Sequence, residues 1–181
     1  MNAGEGRGAD ALGDVEELDA DDREETSAAS VVPRWVAWVA FALSFVGFGI
    51  AFYLTIDHFT GTLPVCSATG IVDCAKVTTS GESYLFHIPV ALLGLLFFTA
   101  MVVVNVPRLW RSDVPAWLPW VRLAMVVGGM IDVLWLLYSE LFTIKAICLW
   151  CTGVHIITFL LFVLVVATFA LAVDSTRWSR A

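Results

Sequence analysis

Basic residues are scarce in this chain of 181 residues: 10 Lys and Arg stand against 17 Asp and Glu. They form no patch or stripe of the kind that holds a nucleic-acid backbone, which excludes that class of partner. The acidic excess is itself local. Ten acidic residues lie between Glu5 and Glu25, whereas from Arg34 onward 8 basic residues face 7 acidic ones. The low isoelectric point therefore describes a leader and not a binding surface. A short basic region ahead of the first apolar run is also missing, which argues against a secretory signal. Residues 1–33 hold few large apolar side chains, Val15 and Leu18 among them. Such a segment cannot offset its ordering entropy and is expected to be a disordered acidic tail.

Apolar residues are abundant instead. They make up 59% of the chain, and the mean hydropathy of +0.83 lies far outside the soluble range. Four apolar runs are separated by polar segments: Trp35–Ile56, Ile88–Val106, Leu118–Leu141 and Ile147–Val173. Only the third carries charge, at Arg122, Asp132 and, at its very end, Glu140. Runs of this length cross a hydrocarbon layer of about 30 Å as helices. The expected fold is all-α: a polytopic membrane protein with a four-transmembrane-helix bundle over residues 34–174 and a short cytoplasmic tail over 175–181. Arg34, Arg108, Arg111, Arg122, Arg177 and Arg180 fall beside one face, and Lys76 and Lys145 beside the other. The positive-inside rule then places both termini in the cytoplasm. Cys66, Cys74, Cys148 and Cys151 all come out on the outer face of the cell membrane, where disulfides persist.

The sharpest motif is Cys148-Leu149-Trp150-Cys151, at the start of the last run. Cysteines at i and i+3 share one face of a helix, and His155 extends that stripe one turn deeper. A helix N-terminus and a nearby cation, here Lys145, both favour a thiolate. Zinc fits poorly, because four-cysteine sites use two close-spaced pairs, and seven residues separate Cys66 from Cys74. A c-type haem needs histidine directly after the second cysteine, where Thr152 stands. The expectation is a site without metal. A loop dithiol paired with one fixed at a helix mouth forms a relay from a soluble thiol to a lipid-soluble oxidant. The rival is a non-catalytic membrane protein whose two disulfides staple its outer loops, or one whose buried cysteines act as small hydrophobes. His155 needs a partner at its depth, either a neighbouring helix or a quinone carbonyl. Asp132 is the other ionisable group within a run, and Gly47, Gly49, Gly128 and Gly129 read as helix-packing positions.

Three stretches taken together resemble the bacterial vitamin K epoxide reductase family. They are Cys66-x7-Cys74-Ala-Lys-Val-Thr-Thr-Ser80, Ile88-Pro-Val-Ala-Leu-Leu-Gly94 and Cys148-Leu-Trp-Cys151. The resemblance spans about Trp35 to Val173. It implies a four-helix bundle around a quinone of the menaquinone or ubiquinone type, capped by the first outer loop. By position, Cys148 and Cys151 are the implied active-site pair, with Cys151 next to the quinone. Cys66 and Cys74 are the implied shuttle pair, Cys74 exchanging with Cys148 and Cys66 facing the partner. Ser80 matches the family's serine in the cap. The implied activity is reoxidation of an exported thioredoxin-like (DsbA-like) protein at the expense of a membrane quinone, supporting disulfide formation. The sequence departs from the family pattern in three places. His87 replaces a glycine before Ile-Pro, His155 stands where vertebrate members have tyrosine, and no asparagine occurs between Ile88 and Leu96. The last two weaken the alternative of vitamin K epoxide reduction. No fused thioredoxin domain follows the last run, so the partner is expected to be a separate protein.

Overall fold

The computed structural model describes residues 33–62, 64, 66, 70–85, 87–110 and 114–178, with 173–178 as backbone alone. The acidic segment 1–32 lies outside these residues. Four long helices dominate: α1 (Arg34–Thr60), α3 (Val90–Val104), α4 (Leu118–Tyr138) and α5 (Leu149–Trp178). Between α1 and α3 come a single helical turn and a half, α2 (Cys74–Thr78), and an antiparallel ribbon of β1 (Tyr84–Leu85) and β2 (Ile88–Pro89). Helix α1 packs along both α3 and α5, α5 packs along α4, and α4 meets α3 more narrowly. The four helices thus close a ring.

Their shared core is Ala40, Ala51, Phe98, Met101, Val126, Ile157, Leu161 and Val165. Small residues on α1 and α4 let the aromatic side chains of α3 approach. A Cβ on Gly47 would overlap the Phe98 ring, and one on Gly129 would come within 2.8 Å of Phe97. Gly49 and Gly128 have nothing within 4 Å. One glycine of each expected pair is therefore a packing position and the other is not.

The outward faces are apolar, with Trp35, Phe45, Leu96 and Ile131 all exposed. Among the described residues three helices are long and apolar enough to cross a membrane: Arg34–Thr60, Leu118–Ile144 and Leu149–Ala172. The expected second span is shorter than its apolar run. Helix α3 has 15 residues, about 22 Å at the usual rise. Ile88 and Pro89 pair instead with Leu85 and Tyr84, and Asn105 ends the helix before Pro107.

Two other sequence expectations change. The last helix begins at Leu149 and not Ile147. Ile147 is bound on both sides, its N–H donating to Ile71 O at 2.9 Å and its carbonyl accepting from Asp73 N at 3.1 Å. Arg122, expected among the interfacial charges, is buried. Its Nε and Nη2 donate to Val104 O, at 3.0 and 2.8 Å, and Nη2 also donates to Leu109 O at 2.6 Å. The guanidinium lies 4.3 Å over the Trp110 ring. It closes the open carbonyl end of α3, a role that every helix C-terminus must fill somehow.

Candidate redox site

The cysteines gather at the opposite end of the bundle. Val72 and Ile147 form a parallel bridge, and this backbone splice brings the segment leading into Cys74 against the one leading into Cys148. Asp73 caps α2, its Oδ1 accepting from Lys76 N at 3.0 Å, so Cys74 sits in the first position of that helix. Cys74 and Cys148, both fully buried, share one cluster with Val77 and Ala146, and Cys66 and Cys151 pack against it. Cys66 and Cys74 are disulfide-bonded; Cys148 and Cys151 are free thiols.

Cys148 is not inside α5 but at its N-cap. Its carbonyl accepts the first helical bond, from Thr152 N at 2.9 Å. Its sulfur accepts from Cys151 N at 3.3 Å, as a serine or threonine oxygen would at such a position. A hydrogen bond from the Cys151 side chain, seconded by the Cys151 and Trp150 backbone N–H groups, holds the Cys148 thiol below its ordinary range against the opposing effect of burial. The helix-start half of the sequence argument holds in this form, but the Lys145 half does not. Lys145 is an exposed turn residue at φ 55, and no ion pair to it occurs among the described residues.

Beneath Cys151 lies a cavity of about 300 Å³, with mostly apolar walls from all four long helices. Its polar lining includes His155, Asp132, Ser80 and Glu140. His155 is 8% exposed and makes no hydrogen bond among the described residues. Ser80 reaches the cavity from the segment after α2, its hydroxyl donating to Val77 O at 2.8 Å. The structure therefore places Cys66, Cys74, Cys148, Cys151, His155, Ser80 and Asp132 in the cysteine cluster or on the cavity below it, and it adds Glu140. That carboxylate is 3% exposed, its Oε2 has no partner among the described residues, and it stands in a π-helical turn, Ser139–Ile144, that extends α4. The sequence signal was present. Glu140 follows Asp132 by eight residues, about two helical turns, but a charge at the end of a span reads first as a membrane-interface marker.

The segment after α2 is held down by His58 and Tyr84, whose ring nitrogen and hydroxyl lie 3.1 Å apart. His87, in place of the expected glycine, still adopts the left-handed conformation, at φ 67. The turn into α3 is thus kept, at a backbone cost that glycine would not carry.

Among the described residues no group of three or more His, Cys, Asp or Glu side chains is arranged to hold a metal ion. No curated protein matches the chain. A family model does, over residues 38–166, from the early part of α1 through most of α5, and it takes in all four cysteines and the cavity beneath them. By that match the chain belongs to the vitamin K epoxide reductase family.

Proposed function

We propose that the protein is a membrane thiol–disulfide oxidoreductase that reoxidises an exported thioredoxin-like partner and passes the electrons to a membrane quinone. The observation that carries this reading is the backbone splice at Val72 and Ile147. It sets a disulfide and a dithiol side by side, with the deeper thiol on a cavity wall. Four membrane spans, α3 included, with both termini cytoplasmic and the cysteines outside, fit the arginine distribution. The described residues between Cys66 and Pro89 then cap the outer end, and the last helix continues to Trp178, into the stretch expected to be a C-terminal tail.

The chemistry follows from the order of the sulfurs. A partner thiolate attacks Cys66 Sγ, the S–S bond to Cys74 breaks, and Cys74 leaves as thiolate. When Cys148 and Cys151 are bonded to each other, Cys74 attacks Cys148 Sγ and frees Cys151 as thiolate at the cavity. The second partner thiol then resolves its mixed disulfide with Cys66, and the Cys66 thiolate resolves that between Cys74 and Cys148. The partner leaves oxidised, Cys66–Cys74 is restored, and Cys148 and Cys151 hold two electrons and two protons. This is the redox state described above. The lowered Cys148 thiol makes that sulfur a good leaving group in exchange.

The cavity suits a quinone: it is apolar around a ring, polar at Cys151 and His155, and near the lower end of the usual range for ligand pockets. A bound quinone supplies an acceptor for two electrons and two protons. His155 and Ser80 would orient its oxygens. The test is turnover of the purified full chain in lipid nanodiscs, with a reduced thioredoxin-like protein and a quinone followed by absorbance. Quinone reduction that stops in Cys151→Ala supports the reading. Reduction that continues in that variant contradicts it.

A further inference from the structure

Oxidising a dithiol releases two protons at the place where the acceptor must gain them. Cys148 is fully buried and Cys151 half-buried on the cavity wall, so a carboxylate on the same wall is placed to carry protons between thiol and acceptor. Glu140 meets the geometric requirements. Its carboxylate is nearly inaccessible, one oxygen has no partner among the described residues, and the side chain lines the cavity that Cys151 lines. Its own backbone carbonyl accepts from Ala146 N at 3.2 Å, which ties the π-helical turn to the residue two ahead of Cys148. An unpartnered buried carboxylate with no role would be removed at little loss, since burial without a hydrogen bond is costly.

We propose that Glu140 is the proton-transfer group of this site, taking a proton from the Cys148/Cys151 pair and delivering it to the ligand in the cavity. The inference rests on the quinone-reducing reading above. The balance closes: both electrons leave the sulfurs as the S–S bond forms, both thiol protons end on the acceptor's two oxygens, and Glu140 returns to its starting state. Asp132 lies roughly two turns away on the same cavity wall, and it can pass the proton deeper. The other titratable groups facing this space are His155 and Cys151 from α5, His58 from α1 and Glu82 from the segment after α2; α3 contributes apolar residues alone.

The test is Glu140→Gln in the full chain in nanodiscs, with two readouts. The first needs no quinone: the rate at which the reduced Cys148/Cys151 pair is alkylated by iodoacetamide, measured against pH. In the wild type a shared proton gives a two-step profile. In E140Q a single step is expected, its midpoint moved to lower pH by about one unit because a negative charge has gone. The second is quinone reduction, expected to fall about 100-fold, with Glu140→Asp retaining part of the rate. An E140Q protein that matches wild type in both readouts overturns the role of Glu140 alone. A wild type that leaves quinone untouched overturns the functional reading, and this inference with it. Should E140Q fail to accumulate, the reduced-minus-oxidised infrared spectrum of the wild type decides. A change in a protonated-carboxyl band supports the proposal, and a spectrum without one overturns it.

Discussion

The two ends of the helix ring treat buried polar groups differently. At the α3 C-terminus the one buried charge among the described residues, Arg122, is committed to Val104 O, Leu109 O and the Trp110 ring. Asn105 Nδ2 donates to Ser44 Oγ at 3.1 Å beside it. Asn105 Oδ1 and Trp110 Nε1 are left without partners, but both are neutral and neither lines the cavity. At the cysteine end the ionisable groups Glu140, His155 and Asp132 surround an open space instead of one another. Backbone irregularity concentrates there too: a π-helical turn, and left-handed His87 and Lys145. One end holds the bundle together. The other leaves its polar groups facing the cavity, and the sparsely populated backbone conformations cluster beside it.

Substitutions at the two ends should therefore fail in different ways. The largest effect is expected from Cys151→Ala, which should bring quinone reduction to background while leaving the thermal melting of the detergent-solubilised protein near wild type. Cys66→Ala should lose turnover with the protein partner yet retain it with a small dithiol, read by the same absorbance assay. Equal loss with both donors would remove the shuttle role. Arg122→Leu should act on the other side of the contrast. It frees two part-buried carbonyls, and the expected cost is about 3 kcal/mol of stability by denaturant titration, with activity per folded molecule preserved. If Arg122→Leu instead abolished activity without a stability change, the division between the ends would collapse.

How much of this was legible beforehand depends on what kind of force decided each feature. Apolar runs and cysteine placement follow from composition and spacing, so the helical membrane class and the gathering of the four cysteines at one end could be read directly. Cavity lining by His155 followed from its position one turn below Cys151. Features set by long-range backbone pairing could not be read. The bond of Ile147 to Ile71 and Asp73 shortens the last helix by two residues and moves Cys148 from helix interior to cap, and no local pattern announces it. Arg122 looked like an interfacial charge because its acceptors, Val104 O and Leu109 O, are backbone atoms that sequence does not display. Glu140 was passed over for the converse reason: a terminal acidic residue has a simple membrane explanation, and only its burial sets that aside.

Two smaller effects sharpen the contrast further. Gly47→Ala should destabilise by about 1–3 kcal/mol, since its methyl group would have to displace the Phe98 ring. Gly49→Ala, facing open space, should be nearly neutral, and the pair is best compared by melting temperature. His87→Gly should stabilise slightly, by about 1 kcal/mol, by relieving the left-handed backbone.

The relay itself is tested most directly by trapping its middle. In a Cys66→Ala/Cys151→Ala double variant, the two remaining cysteines, Cys74 and Cys148, have no other partner in the chain. Mild oxidation followed by peptide mass spectrometry without reduction should recover a Cys74–Cys148 disulfide in high yield. Recovery of both as separate alkylatable thiols would contradict the account.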